Sequence, residues 1–122
     1  MVLCYNISML AQKYRFHSRG GVRHTYQKGK TIRTQNMSLI YAPNTRHHQR
    51  FGVVISKKVL KSAVGRNRIR RRVYEALRLE LANFSTHLDC LFIIYHKSIA
   101  KIPFSELRSQ IRMLLNQTIQ HP

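Results

Sequence analysis

Acidic residues are nearly absent from this chain. Its 122 residues include 22 Lys and Arg but only 4 Asp and Glu, which gives a formal net charge of +18. Residues 1–74 carry 17 of the cations and no acid, whereas residues 75–122 carry 5 cations and 4 acids. Self-repulsion at such a charge opposes compactness unless a polyanion binds. We therefore predict a polyanion-binding surface in the first part of the chain and a structural role for the second part.

Cysteines and long apolar runs are also scarce. Cys4 and Cys90 provide no disulfide framework and no metal-ligand spacing, a pattern typical of a reducing cytoplasm. No apolar run approaches the roughly 20 residues of a membrane span, and residues 1–10 lack the basic n-region of a signal peptide. We expect a cytoplasmic protein that does not bind membranes.

The usual groups of an enzyme active site are missing too. Four carboxylates, scattered between Glu75 and Glu106, suggest no acid/base pair, and the histidines have no carboxylate or cysteine partners near them in sequence. No phosphate-binding loop, dinucleotide turn or nucleophile motif occurs. We predict no catalytic residue, no metal site, no protein-bound cofactor and no small-molecule substrate. Any reaction that involves this chain would use another molecule's groups.

Hydrophobic periodicity predicts six elements in the order αββαβα. They are a helix over 19–28 ended by Gly29, a strand over 32–41 with a turn at Pro43 and Asn44, a strand over 50–56, a helix over 66–82, a strand over 89–95 and a helix over 105–118. The first two strands are expected to form a hairpin. The third is continuously apolar after Asp89, which predicts a central strand covered on both faces.

These elements predict an α+β fold, a two-layer sandwich in which helices pack on a small mixed sheet. The length and the 43% of apolar residues suffice for a single core. We expect residues 13–118 to form one polyanion-binding domain, with an N-terminal extension over 1–12 and a tail over 119–122.

Residues 66–72, here called the arginine segment, hold five arginines in seven positions. They are placed at the start of the predicted helix, where the helix dipole disfavours cations. A helical wheel puts Ile69, Val73, Ala76 and Leu77 on one side and Arg68, Arg71, Arg72 and Arg78 on the other, with Glu75 among these arginines. Arginine forks pair bidentately with phosphate. The segment therefore predicts binding to a nucleic-acid backbone.

Structural alternatives stand beside these interpretations. The arginine segment could be a solvated basic face. Asn67 could serve as an N-cap or first-turn residue instead of binding a sugar hydroxyl, a base edge or a metal-bound water. Aromatic residues among upstream cations could stack unpaired bases, or they could belong to the core. These aromatic residues are Phe16, Tyr26, Tyr41 and Phe51.

The central residues resemble the signature of the bacterial ribonuclease P protein subunit. The resemblance rests on Ser56, Lys57, Lys58 and Ala63, on Arg-Asn-Arg-Ile-Arg-Arg at 66–71, and on Glu75. Weaker flanking similarities occur at 26–30, 38–41, 50–53, 104–107 and in the apolar run after Asp89. The resemblance covers about residues 13–115.

This resemblance implies a fold like the second domain of a small-subunit ribosomal protein, with a left-handed strand–helix–strand crossover. It also implies a role beside a catalytic RNA subunit, which uses Mg²⁺ to remove the 5′ leader of precursor tRNA. The RNA-binding residues would be Lys57, Lys58, Lys61, Arg66, Asn67, Arg68, Arg70, Arg71 and Arg72. The leader cleft would include Arg15, Phe16, Val22, Tyr26 and Tyr41.

Two positions depart from the family pattern. Tyr74 replaces a basic residue, for which Arg72 could substitute, and Val22 stands where an aromatic residue often lines the cleft. A ribosomal or other structural RNA-binding protein of the same fold is the alternative function. A DNA-binding domain is disfavoured because neither helix-turn-helix spacing nor a dimerisation heptad occurs.

Overall fold

The structure is a computed structural model that describes Arg15 and residues 25–44, 49–80 and 88–120, with only the backbone of the last two. Its strands are β1 (Lys30–Arg33), β2 (Met37–Pro43), β3 (Arg50–Ile55) and β4 (Leu88–Ile94), and its long helices are α1 (Ala63–Glu80) and α2 (Phe104–Gln120). Residues 25–28 are helical, and Lys97–Ala100 form a 3₁₀ turn. The predicted extension over 1–12 lies outside the described residues, and α2 continues two residues past the predicted boundary at 118.

The four strands form one mixed sheet in the order β1-β2-β4-β3. β4 pairs antiparallel with β2 and parallel with β3, and α1 connects β3 to β4. The predicted α+β class is confirmed, but the predicted hairpin between the second and third of these strands is wrong. The apolar β4 lies between them, because an inner position lets a strand bury both of its faces.

The predicted strand over 32–41 is two strands joined by a tight turn at residues 34–36. The Thr34 amide donates to the Met37 carbonyl at 2.8 Å, and the Thr34 hydroxyl donates to the same carbonyl at 3.0 Å. The Met37 amide in turn donates to the Thr34 hydroxyl at 3.3 Å. A threonine side chain thus closes a turn that contains neither Gly nor Pro, and β1 becomes an additional edge strand.

The main core lies between one face of the sheet and the two long helices. The predicted inner side of α1 is confirmed, because Ile69, Val73, Ala76 and Leu77 are all 0% exposed. The predicted stripe of α2 is also buried, namely Leu107, Ile111, Leu114 and Leu115. Burial in this core raises the pKa of the Cys90 thiol, and the neighbouring Asp89 charge raises it further. Neither α1 nor α2 is long and apolar enough to cross a membrane.

The opposite face of the sheet carries a smaller apolar cluster around Ile40 and Leu91. Leu91 is 0% exposed, as is Cys90 on the other face, so β4 is buried on both sides as predicted. Gly29 ends the helical turn over 25–28, where its amide donates to the Thr25 carbonyl at 2.8 Å. A Cβ at Gly29 would lie 2.7 Å from Ile40 Cγ2, so the close approach of this segment to β2 requires glycine.

Candidate nucleic-acid interface

Helix α1 begins earlier than the sequence predicted. It starts at Ala63 and not at Arg66, and Ser62 caps it by accepting the Gly65 amide at 3.1 Å. Asn67 is therefore not the N-cap, and the arginine segment starts at the fourth helical residue. The helix dipole disfavours these arginines less than predicted, because its effect fades beyond the first turn. Lack of neutralising acid is the stronger indication of an external polyanion.

Three of the four acids of the chain pair with cations outside the arginine segment. The Glu80 carboxylate, 2% exposed, accepts from two arginines of α2, and these hydrogen bonds, led by the one from Arg112, hold its pKa below the usual range. Glu106 lies in the first turn of α2, where its negative charge interacts favourably with the helix dipole. The ion pairs join Glu75 to Arg78, Glu80 to Arg108 and Arg112, and Asp89 to Arg50. Among the described residues, no carboxylate pairs with the arginine segment.

Several predicted RNA ligands form one exposed basic surface. Among them, Asn67, Arg68 and Arg71 are exposed on α1. A groove of about 370 Å³ follows this side of the helix, and we call it the polar groove because four of its five lining residues are polar. These residues are Val64, Asn67, Arg68, Arg71 and Arg72. The exposed lysines Lys57, Lys58 and Lys61 precede it in the chain. Closely spaced cations next to an amide side chain can bind phosphate and sugar oxygens.

The other arginines of the segment also make contacts within the protein. Arg66 Nη1 donates to the carbonyls of Leu60 at 2.9 Å and Lys61 at 2.8 Å, and so fixes the loop before α1. Arg70 Nη1 donates to Asn67 Oδ1 at 2.8 Å, which orients the amide.

Arg72 joins α1 to the segment before α2. Its Nη1 donates to the Ile99 carbonyl at 2.6 Å, and its Nη2 donates to the Ile102 carbonyl. The side chain is thus built into the fold, which the sequence did not indicate. A further role in RNA binding stays a prediction.

Tyr74, which replaces a basic residue of the family pattern, is buried at 7% exposure. Burial raises its pKa, whereas the nearby charges of Arg70 and Arg15 and a hydrogen bond with the Val53 backbone lower it. The cations beside Tyr74 are therefore Arg70 and Arg15, and Arg72 points instead to the 3₁₀ turn. Arg70 and Arg15 are therefore the two candidates for the RNA contact that the family pattern assigns to a basic side chain at position 74.

The predicted leader cleft is only partly within the described residues. Phe16 and Val22 lie outside them. Arg15 bridges to Phe51 on β3, and its buried Nε has no hydrogen-bond partner among the described residues. Phe51, at 1% exposure, is a core residue, as the structural alternative predicted.

The two tyrosines of the predicted cleft lie in different surroundings. Tyr41 is 3% exposed and belongs to the main core, whereas Tyr26 is 48% exposed. Burial raises the pKa of Tyr26, and the nearby phenol of Tyr95 raises it further. Tyr95 is 44% exposed and its hydroxyl shares a hydrogen bond with that of Ser38. The sequence missed this neighbour of Tyr26, and a leader-binding role for Tyr41 stays a prediction.

The sequence also missed a second concave surface beside the arginine segment. His96 and Lys97 lie shortly after the end of β4, and their position in the sequence gave no indication that they approach α1. In the structure they line an apolar pocket of about 510 Å³ together with Leu60, Gly65, Arg68, Ser98, Ala100 and Lys101. In the described part of the chain, no group of three His, Cys, Asp or Glu side chains could hold a metal ion.

Comparisons with known proteins identify a protein family that matches this chain. A family model described as Ribonuclease P matches residues 10–119. The ribonuclease P protein component of Chloroflexus aggregans is 40% identical over 95 residues, which cover 78% of this chain and 70% of that protein. The ribonuclease P protein component of Roseiflexus castenholzii is 33% identical over 108 residues, which cover 88% of each.

Solved structures show a similar fold. The ribonuclease P protein of Thermotoga maritima superposes with a TM-score of 0.76 at 22% identity, covering 84% of this chain and 96% of that one. That of Staphylococcus aureus gives a TM-score of 0.74 at 21% identity, covering 86% and 94%. The architecture described above is thus shared with both proteins.

Proposed function

This chain belongs to the ribonuclease P protein family, whose members are part of an endoribonuclease holoenzyme, and from that premise we propose that it assists a catalytic RNA in removing the 5′ leader of precursor tRNA. It binds the RNA subunit through α1 and the substrate through the leader. The proposal includes a cytoplasmic location, where bacterial tRNA is processed. The observation that carries it is an arginine-rich helix face that no carboxylate neutralises within the described part of the structure.

The basic surface acts by neutralising phosphates where RNA strands approach one another. Arg68 and Arg71 are exposed in a groove that also contains the amide of Asn67, so phosphate and sugar groups can be bound side by side. Each phosphate contact releases counterions. Assembly should therefore weaken with salt, and log K should fall by about 0.7–0.9 per contact for each log unit of salt.

The leader would be held by exposed aromatic and cationic groups next to the sheet. Tyr26 presents a half-exposed ring beside Tyr95, and such rings stack unpaired bases with little sequence preference. The chemistry in this proposal is phosphodiester hydrolysis by Mg²⁺ bound to the RNA subunit. The protein's own residues bind and orient the two RNAs, and the chain alone is expected to be inactive.

Cleavage of precursor tRNA tests this function. The RNA subunit from the same organism is assayed at low Mg²⁺ with and without the full chain. We expect the chain to stimulate cleavage, because its cations lower the repulsion between substrate and RNA subunit, and to give no cleavage without the RNA. If the chain binds the RNA but leaves the cleavage rate unchanged, it is a structural RNA-binding protein and the proposal fails.

Substitution of Tyr26 tests leader binding. Tyr26→Ala removes an exposed ring and should reduce the preference for leader-bearing tRNA over mature tRNA by about tenfold, the effect of one lost base stack. Tyr26→Phe keeps the ring and should retain most of the preference. The measurement is the ratio of the holoenzyme's dissociation constants for the two tRNAs. Equal weakening of both would show that Tyr26 does not contact the leader.

A further inference from the structure

The apolar pocket adjoins the polar groove at Arg68, which lines both of them. Its wall on the α1 side comes from Leu60 and Gly65, and its other wall comes from the 3₁₀ turn after β4. A Cβ at Gly65 would lie 2.6 Å from Leu60 Cδ2, so the loop packs tightly against the helix start and defines that wall. At about 510 Å³, the pocket has the size of small-molecule sites.

The residues that line the pocket include three cations and, within the described part of the chain, no acid. Three cationic side chains, Arg68, Lys97 and Lys101, lie around apolar atoms of the backbone and of Leu60 and Ala100. All three are exposed, and no ion pair with a carboxylate occurs for any of them among the described residues. Such a site favours a ligand that combines an anionic group with a flat apolar group.

The histidine of the pocket is held in a fixed orientation. His96 Nδ1 accepts the Ser98 amide at 3.1 Å and caps the 3₁₀ turn. The ring is therefore positioned by the backbone, and its Nε2 takes no part in this bond. Ordered imidazole rings can stack on bases.

Arg68 is shared by the two concave surfaces. It lines the polar groove with Asn67 and Arg71, and it lines the apolar pocket with His96 and Lys97. An RNA strand that crosses Arg68 would meet phosphate-binding side chains in the polar groove and an apolar recess in the pocket. Proteins that bind single-stranded RNA use this combination of cations and stacking surfaces.

We infer that the pocket between Leu60, Arg68 and the 3₁₀ turn binds one unpaired nucleotide of the RNA that the arginine segment holds, with the base in the apolar recess and the phosphate on Arg68, Lys97 and Lys101. This inference rests on the proposed function for the identity of the RNA. A free phosphate would leave the apolar walls unused. An acidic peptide with an apolar side chain offers similar chemistry, but the arginine-lined groove next to the pocket favours a phosphate polymer.

A pocket-filling variant tests the inference on the complex. Ser98→Leu places a larger side chain in the pocket without changing the net charge. It should weaken binding to the RNA subunit about tenfold at an unchanged salt slope. Ser109→Leu makes the same change on an exposed position of α2 and should have no effect. The double variant Lys97→Ala, Lys101→Ala should weaken binding and also lower the salt slope by about 0.7–0.9 for each lost phosphate contact. Thermal unfolding of each variant verifies that the fold is intact.

Small ligands test the pocket without the RNA subunit. The free chain is titrated with adenosine monophosphate, with inorganic phosphate and with an acidic peptide that contains leucine, and the amide shifts of Lys97, Ser98 and Lys101 are followed by NMR. We expect the nucleotide to shift these amides at lower concentration than phosphate, and Ser98→Leu to abolish the difference. Equal effects of nucleotide and phosphate, or a response to the peptide alone, would overturn the inference. So would an unchanged RNA affinity in a folded Ser98→Leu variant. These readouts do not depend on cleavage, so they can fail while the proposed function holds.

Discussion

Arg68→Ala should weaken binding to the RNA subunit about tenfold or more while leaving the melting temperature unchanged. Arg68 is exposed and lines both the polar groove and the apolar pocket, and it makes no hydrogen bond within the described part of the protein. A charge-assisted bond to phosphate contributes about 1.5–3 kcal/mol, and losing it should also lower the salt slope by about 1. Filter binding or fluorescence titration at several salt concentrations measures both quantities.

Arg72→Ala is the matched comparison, since it removes the same charge from the same helix at a residue that also lines the groove but is bonded within the protein. Its guanidinium donates to the carbonyls of Ile99 and Ile102, and the loss of these bonds should cost about 1–3 kcal/mol of folding free energy. We expect Arg72→Ala to lower the melting temperature and Arg68→Ala to lower the RNA affinity. If Arg68→Ala leaves the affinity intact, Arg68 is outside the interface. If Arg72→Ala weakens RNA binding at an unchanged melting temperature, its role in the structure is secondary to RNA binding.

The contrast between these two arginines shows how far the sequence could be interpreted. The helical wheel correctly separated Ile69 and Val73 from the arginines, because burial of an apolar stripe depends on residues three and four apart. The wheel also placed Arg68 and Arg72 together on the outer side. It could not distinguish them, because the partners of Arg72 come from a turn 27 and 30 residues later.

The order in which the strands pair could not be predicted from the sequence, for a similar reason. The apolar and β-branched residues of β3 predict a strand, but they do not indicate which strand lies beside it. The parallel partner β4 follows only after α1, so the hairpin with β2 was the simpler and incorrect expectation. The same long-range pairing places His96 and Lys97, at the exit of β4, beside Arg68. The pocket could therefore not be predicted from the sequence, although the sequence contains each of its cations.

Glu80→Gln should destabilise the fold by about 2 kcal/mol, which corresponds to a fall of roughly 6 to 10 °C in melting temperature. Glu80 lies on α1 and is 2% exposed, so its carboxylate is almost completely removed from water. The carboxylate is stable there because Arg112 Nη2 lies 2.8 Å and Arg108 Nη2 lies 3.0 Å from its Oε1. The neutral amide would lose these charge-assisted bonds, which join α1 to α2.

Glu75→Gln is the control on the same helix. Its pair with Arg78 is more exposed, and it should cost only about 0.5 kcal/mol.

The pH dependence of unfolding separates this ion pair from simple packing. Hydrogen bonds from Arg112 and Arg108 hold the pKa of Glu80 below its usual range in the folded state. A lowered folded pKa contributes stability that is fully present above the unfolded pKa of about 4.3 and is lost as the pH falls through the folded value. The free energies of unfolding of the parent and of Glu80→Gln should therefore differ at pH 7 and converge as the pH falls below about 4.3 and through the folded pKa. A difference that persists undiminished at low pH would mean that Glu80 stabilises the helix contact by shape and not by charge.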